Sequence, residues 1–331
     1  MNSDVNYQVL EHQHIFTPKR YFSQCHASTI CRLPDGSFGV AWFGGSHEKA
    51  PDVAIWFSKK TNEGWSEPVK VADDKDIPCW NPVLFAQENQ VLLFYKVGQE
   101  ISRWQTMIKI SLDSGETWSE AKELVKGDFG GRGPVKNKCI LLADGSILAP
   151  ASTEGDGWKC FTDHSVDQGK TWTRSEDVVP QSGSVKNSGM IQPTLWQDAS
   201  KQLHMLMRSS EGCIFRSGWD KEIGKWGEAY PTALPNNNCG IDLARLSDGR
   251  LVLVYNPVSG NWAARTPIAF SVSADNGTTW SEPQILDYVP CETNQEYAEF
   301  SYPAIIAEDS DVYLTYTWKR RTIAFWHIRI L

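Results

Sequence analysis

The sequence predicts an all-β chain folded as a six-bladed β-propeller of four-stranded antiparallel blades. Three observations predict it: a tryptophan recurring every 53 or 54 residues, six hairpin patterns in phase with it, and almost no helical periodicity. The tryptophans are Trp65, Trp118, Trp172, Trp226 and Trp280.

Three of them close one string: Ser111, Asp113, Gly115, Thr117 and Trp118; Ser165, Asp167, Gly169, Thr171 and Trp172; Ser273, Asp275, Gly277, Thr279 and Trp280. Such a string is a turn. Asp accepts from backbone N–H groups ahead of it, Gly supplies a positive φ, Thr bonds locally, and the indole plugs the gap beside the hairpin. The strings ending at Trp65 and Trp226 are degraded versions. The hairpins span 28–43, 82–97, 135–150, 192–208, 241–256 and 302–318, three of them turning at Asp-Gly pairs (Asp35-Gly36, Asp144-Gly145, Asp248-Gly249). Five Trp turns against six hairpins imply that an N-terminal strand, about residues 5–16, completes the last blade and removes an open edge. The whole chain, 1–331, reads as one such domain.

Composition narrows the classes. A chain of 331 residues with 41% apolar residues and a net charge of −8 can bury about 75% of its extended surface. No apolar run approaches the roughly 18 residues of a membrane span, and the net negative charge argues against nucleic acid as a partner. Eight scattered cysteines without a CxxC pair, and a start lacking basic and hydrophobic leader regions, predict reduced structural thiols and a cytoplasmic location. No spacing of His, Cys and carboxylates fits a zinc or calcium site, so neither metal nor cofactor is expected.

The three strings resemble the Asp-box of the sialidase superfamily. The wording around the hairpins, among it His26-Ala27-Ser28-Thr29, Trp80-Asn81-Pro82, Lys136-Asn137-Lys138 and Glu299-Phe300-Ser301-Tyr302-Pro303, is similar to the predicted neuraminidases with BNR repeats. The resemblance implies six blades and a carbohydrate-active site.

Blade topology says where that site lies. Hairpin turns and Asp-box turns share one face, so the segments leading into the inner strands and out of the second strands open on the other. There stand His26, Trp80, Asn81, Lys136, Lys138, Gln192, Asp242, Glu299 and Tyr302, together with Glu48, Asp52, Lys96, Glu154, Arg208, Trp318 and Arg320. Carboxylates, cations and indoles converging on one mouth suit an acidic oligosaccharide or glycan. The resemblance further implies Tyr302 as nucleophile assisted by a glutamate such as Glu299, Asp52 or Glu48 as acid/base, and Arg208 on a substrate carboxylate. Two arginines that the resemblance would place on the first and fifth inner strands are replaced by the Cys25-His26 region and by Gly240, Ile241 and Asp242. Lys96, Lys136 and Lys138 could take the anion instead. The expected activity is thus a sialidase-like exo-glycoside hydrolase on an acidic sugar. The alternatives are a uronate-specific lyase, with His26 and Tyr302 as base and acid, and a non-catalytic glycan-binding propeller.

Overall fold

A computed structural model of the chain describes residues 5–290 and 298–331. Six antiparallel sheets follow one another along the chain, and among the described residues the one helical element is a single 3-10 turn, Ile101–Arg103. The six-bladed reading is therefore correct. The inner strands are Gln24–Arg32, Cys79–Gln87, Ile140–Leu141, Met190–Gln197, Asp242–Arg245 and Phe300–Glu308. The sixth sheet is closed by Tyr7–His14, which pairs antiparallel with Thr322–Ile330 at the other end of the chain.

The core is divided into six apolar clusters, one at each junction between neighbouring blades. The repeated tryptophans belong to these junctions. Trp118 of blade two meets Phe57 of blade one at 5.7 Å, Trp172 of blade three meets Phe94 of blade two at 5.9 Å, and Trp65 of blade one meets Phe325 of blade six at 5.2 Å. Each indole is a wedge against the preceding blade, so the repeat in the sequence is a repeat of inter-blade packing. Gly115 lies so close to Phe57 that a Cβ there would sit 2.6 Å from its ring. Close approach and its φ of +88° both demand glycine.

The turns are built as the string predicts, with one addition. Asp113, Asp167 and Asp275 accept from Thr117, Thr171 and Thr279 N–H at 2.8–2.9 Å. The serine two residues earlier accepts the glycine N–H at 2.8 Å in all three. Hairpin and Asp-box turns do share a face: Asp35 N–H bonds to Ser114, and Gln168 to Glu88, each across neighbouring blades. The seven described cysteines are unbridged, and Cys291 lies outside the described residues.

Along the axis the blades are tied by buried polar side chains. Asp242, in the fifth inner strand and 1% exposed, takes Lys138 from blade three at 3.0 Å, Thr194 from blade four at 2.7 Å and the Ile305 N–H of blade six at 3.0 Å. The sequence reading offers Asp242 and Lys138 as substrate ligands; the structure employs both as a four-blade tie. Asp242→Ala removes the carboxylate from Lys138, which keeps only the Leu243 carbonyl, and strips the Thr194 hydroxyl and the Ile305 N–H of their acceptor, with an expected cost of roughly 2–4 kcal/mol. The check is chemical denaturation, in which the midpoint should fall without a change in the slope.

Candidate active site

One local device shapes the mouth. In blades one, two, four and six the inner strand carries one extra residue near its head, a β-bulge between His26 and Thr29, Trp80 and Val83, Ile191 and Thr194, and Ser301 and Ala304. The extra turn of backbone places Ala27, Asn81, Gln192 and Tyr302 at positive φ, between +40° and +59°. Lys136, leading into the third inner strand, has the same sign at +67°. Proline follows three of these residues, as Pro82, Pro193 and Pro303, and the missing N–H suits a bulge where the ladder is already interrupted. Left-handed backbone at non-glycine residues costs of order 1–3 kcal/mol each, and it re-aims one side chain per blade. At the fifth blade Gly240 makes the room: a Cβ there would stand 2.4 Å from the Tyr302 ring and 2.9 Å from the Lys136 stem.

Tyr302 is the centre of the resulting cluster. Its hydroxyl accepts from Arg208 Nη1 at 2.8 Å, and Gln192 Nε2 lies 3.5 Å away. The His26 ring lies over the phenol with centroids 4.2 Å apart, and the Arg265 guanidinium is 5.6 Å from the ring centre. Arg208, only 2% exposed, is aimed by Gln192 Oε1 and Asn238 Oδ1, both at 2.9 Å. Trp158 and Trp262 flank the same guanidinium at 5.7 and 5.5 Å.

Glu299 anchors a second group of charges. It receives Arg265 at 2.7 Å, Arg320 at 2.8 Å and the Ser301 hydroxyl at 2.6 Å, and its carboxylate is 3.8 Å from His26. Arg320 continues to Glu48. Burial acts to raise the Glu299 carboxyl, but the Arg265 and Arg320 guanidiniums override it and hold it at about 2. Burial also drives His26 well below its usual value, and Arg320, Arg265, Arg208 and Lys136 push the same way, so the ring is neutral at pH 7. Its Nδ1 pairs with Thr317 Oγ1 at 3.0 Å.

Glu154 stands opposite Trp158, the indole that flanks Arg208, in the hairpin of blade three, and it feels the Arg208 charge. Burial raises its carboxyl, Arg208 opposes and Glu48 assists, for a net upward shift. The cluster therefore combines one phenol, one neutral imidazole, a carboxyl biased toward its acid form and three guanidiniums.

Other residues named from sequence lie elsewhere. Asp52 closes its own exposed loop, accepting from the N–H and hydroxyl of Ser46. Trp80 is 1% exposed, bonded to Gly98 O and packed on Phe43 and Trp104, so it presents no face to a sugar. Trp318 packs against Phe300 and His14. Lys96 is fully buried and holds the carbonyls of Gly131 and Arg132, tying down the glycine-rich segment between blades two and three. Asn81 sits in its bulge, 4% exposed. Arg265 and Asn238 are absent from the sequence reading. For Arg265 the signal is loop length: residues 256–267, between the second and third strands of blade five, form one of the longer excursions on this face, whereas Asn238 lies in the segment that leads into the fifth inner strand. Among the described residues no three His, Cys, Asp or Glu side chains converge in the manner of a metal site.

Glu299→Gln gives a pH test. A carboxyl held low in the folded state adds stability that is complete above its ordinary value of 4.5 and disappears as pH falls toward 2. Melting temperature against pH should lose part of its slope between about 4.5 and 2 in Glu299→Gln.

The comparisons agree with this architecture. The family profile of the BNR repeat-like domain matches residues 36–314. No curated protein matches the sequence. Among solved structures the fold is similar to a Hadza microbial sialidase, Hz136, with 16% identity and a TM-score of 0.80 over 97% of this chain and 69% of that one. It is also similar to a protein of unknown function from Dyadobacter fermentans (12% identity, TM-score 0.76, 98% and 99% covered). A third similar fold is the intramolecular trans-sialidase from Ruminococcus gnavus (14%, 0.68, 96% and 97%). With the profile spanning most of the sequence and six blades in the sheet topology, the chain belongs to the BNR repeat-like domain family.

Proposed function

We propose that this protein is a sialidase-like exo-glycoside hydrolase that removes an acidic sugar from the end of an oligosaccharide. The observation that carries the reading is the Tyr302 hydroxyl, held by Arg208 at the axial mouth with a second guanidinium near its ring. A tyrosine so placed can bond the anomeric carbon as the glycosidic bond breaks, because neighbouring cations favour loss of its phenolic proton to water at the mouth; water then cleaves the tyrosyl–sugar bond and restores the phenol. Glu154, biased toward its protonated form, is suited to protonate the leaving oxygen. Arg208, whose partners Gln192, Asn238 and Tyr302 are all neutral, keeps its charge for a substrate carboxylate. Arg265 and Arg320 are matched internally by Glu299, so the carboxylate load falls on Arg208.

One observation favours a second reading. A neutral imidazole tilted against the phenol is a base beside an acid, the pairing that a uronate lyase requires. Digestion of sialylated and uronate-terminated oligosaccharides, read by mass spectrometry, separates the two. Hydrolysis adds one water to the products, and elimination leaves an unsaturated, ultraviolet-absorbing sugar. For the hydrolase, Tyr302→Phe should lower turnover by roughly 10³-fold or more while His26→Ala retains product chemistry. Equal turnover in Tyr302→Phe removes the nucleophile; binding without any product points to a glycan-binding module.

A further inference from the structure

Beneath Tyr302 lies a cation that the proposed reaction does not use. Lys136 is 2% exposed and its stem packs against the same Gly240 surface as the Tyr302 ring. Its ammonium has three hydrogens, and three acceptors from three blades receive them: Asn137 Oδ1 of blade three at 2.8 Å, Ile241 O of blade five at 2.8 Å, and Pro303 O of blade six. Pro303 is the residue after Tyr302, inside the same bulge. Asn137, in turn, donates to the Gln192 and Pro193 carbonyls of the blade-four bulge, both at 2.9 Å. The bulges that carry Tyr302 and its neighbour Gln192 thus hang from two adjacent residues of blade three.

We propose that Lys136 is the positioning residue of the site, its ammonium pinning the Tyr302–Pro303 bulge so that the phenol hydroxyl stays against Arg208. A strained bulge needs such a pin, because left-handed backbone persists only where surrounding contacts over-determine it. The count of donors makes the pin depend on protonation. A neutral amine offers two hydrogens and a lone pair, so one of the three acceptors loses its bond. The groups acting on this amine are Asp242 and Cys239 of blade five, Lys138 of its own blade and Arg208 of blade four, with neutral His26 across the axis. Burial, opposed by Asp242 and Cys239 and aided by Lys138 and Arg208, brings it down to about 7. The tyrosine is therefore held most firmly below neutral pH and released as pH rises.

The test needs no knowledge of the natural substrate. In protein labelled with ¹³C-tyrosine, the Tyr302 ring signal is identified by its loss in Tyr302→Phe. We expect it to move in one step between about pH 6 and 9 in the wild type and in Lys96→Met, and to sit at a new, pH-independent position in Lys136→Met. An unmoved, normally titrating signal in Lys136→Met overturns the proposal. If that variant does not fold, a flat wild-type titration overturns it equally. An activity arm rests on the hydrolase reading and uses 4-methylumbelliferyl N-acetylneuraminic acid and 4-nitrophenyl glucuronide. There Lys136→Met should lose about 10²-fold in kcat with KM within about threefold, and lose the decline of rate above pH 7. If the wild type cleaves neither probe, the reading of the reaction fails while the ring titration still decides the role of Lys136.

Discussion

The packing of each blade against its neighbours is the constraint on which the rest of this molecule depends. A four-stranded sheet of this size cannot bury both faces by itself, and here the apolar surface is divided among six junctions. The Asp-box tryptophans wedge those junctions from the far face, and Tyr7–His14 covers Thr322–Ile330 as the outer strand of the last blade. With the perimeter locked in this way, strain can be kept at the axis.

That strain is where the candidate site lies. Four bulges of the same register lift one residue per inner strand, and the residues lifted are not interchangeable: alanine, asparagine, glutamine and tyrosine. The scaffold repeats while the presented chemistry differs. Buried polar ties through Asp242, Lys138 and Asn137 satisfy the interrupted backbone and connect blades three to six at the level of the site.

Charge at the mouth is organised rather than summed. Glu299 absorbs two arginines and Glu48 shares one of them, whereas Arg208 is surrounded by neutral oxygens. A buried cation with neutral partners is the place where an incoming anion gains most, because there is no internal pair to break. Aromatic faces at Trp158 and Trp262 border it on the solvent side.

Much of the fold was legible in the one-dimensional pattern, because each Asp-box is a local turn whose residue types follow from backbone geometry and whose spacing counts blades. The face that holds the site followed from strand direction alone, and His26, Glu48, Glu299, Tyr302, Arg208 and Arg320 could be named there. What tertiary structure decided was which side chains of those segments reach the axis. Trp80 and Lys96 occupy positions equivalent to His26 and Arg208, yet Trp80 packs on Phe43 and Trp104 and the Lys96 ammonium is drawn to the carbonyls of Gly131 and Arg132. Asn238 arrives from the segment before the fifth inner strand and Arg265 from the loop after the strand that follows it, neither with a periodic signal, and Asp242 became a tie because its partners come from three other blades. Local chemistry dictates the turns; only the closed ring brings distant strand heads within bonding distance.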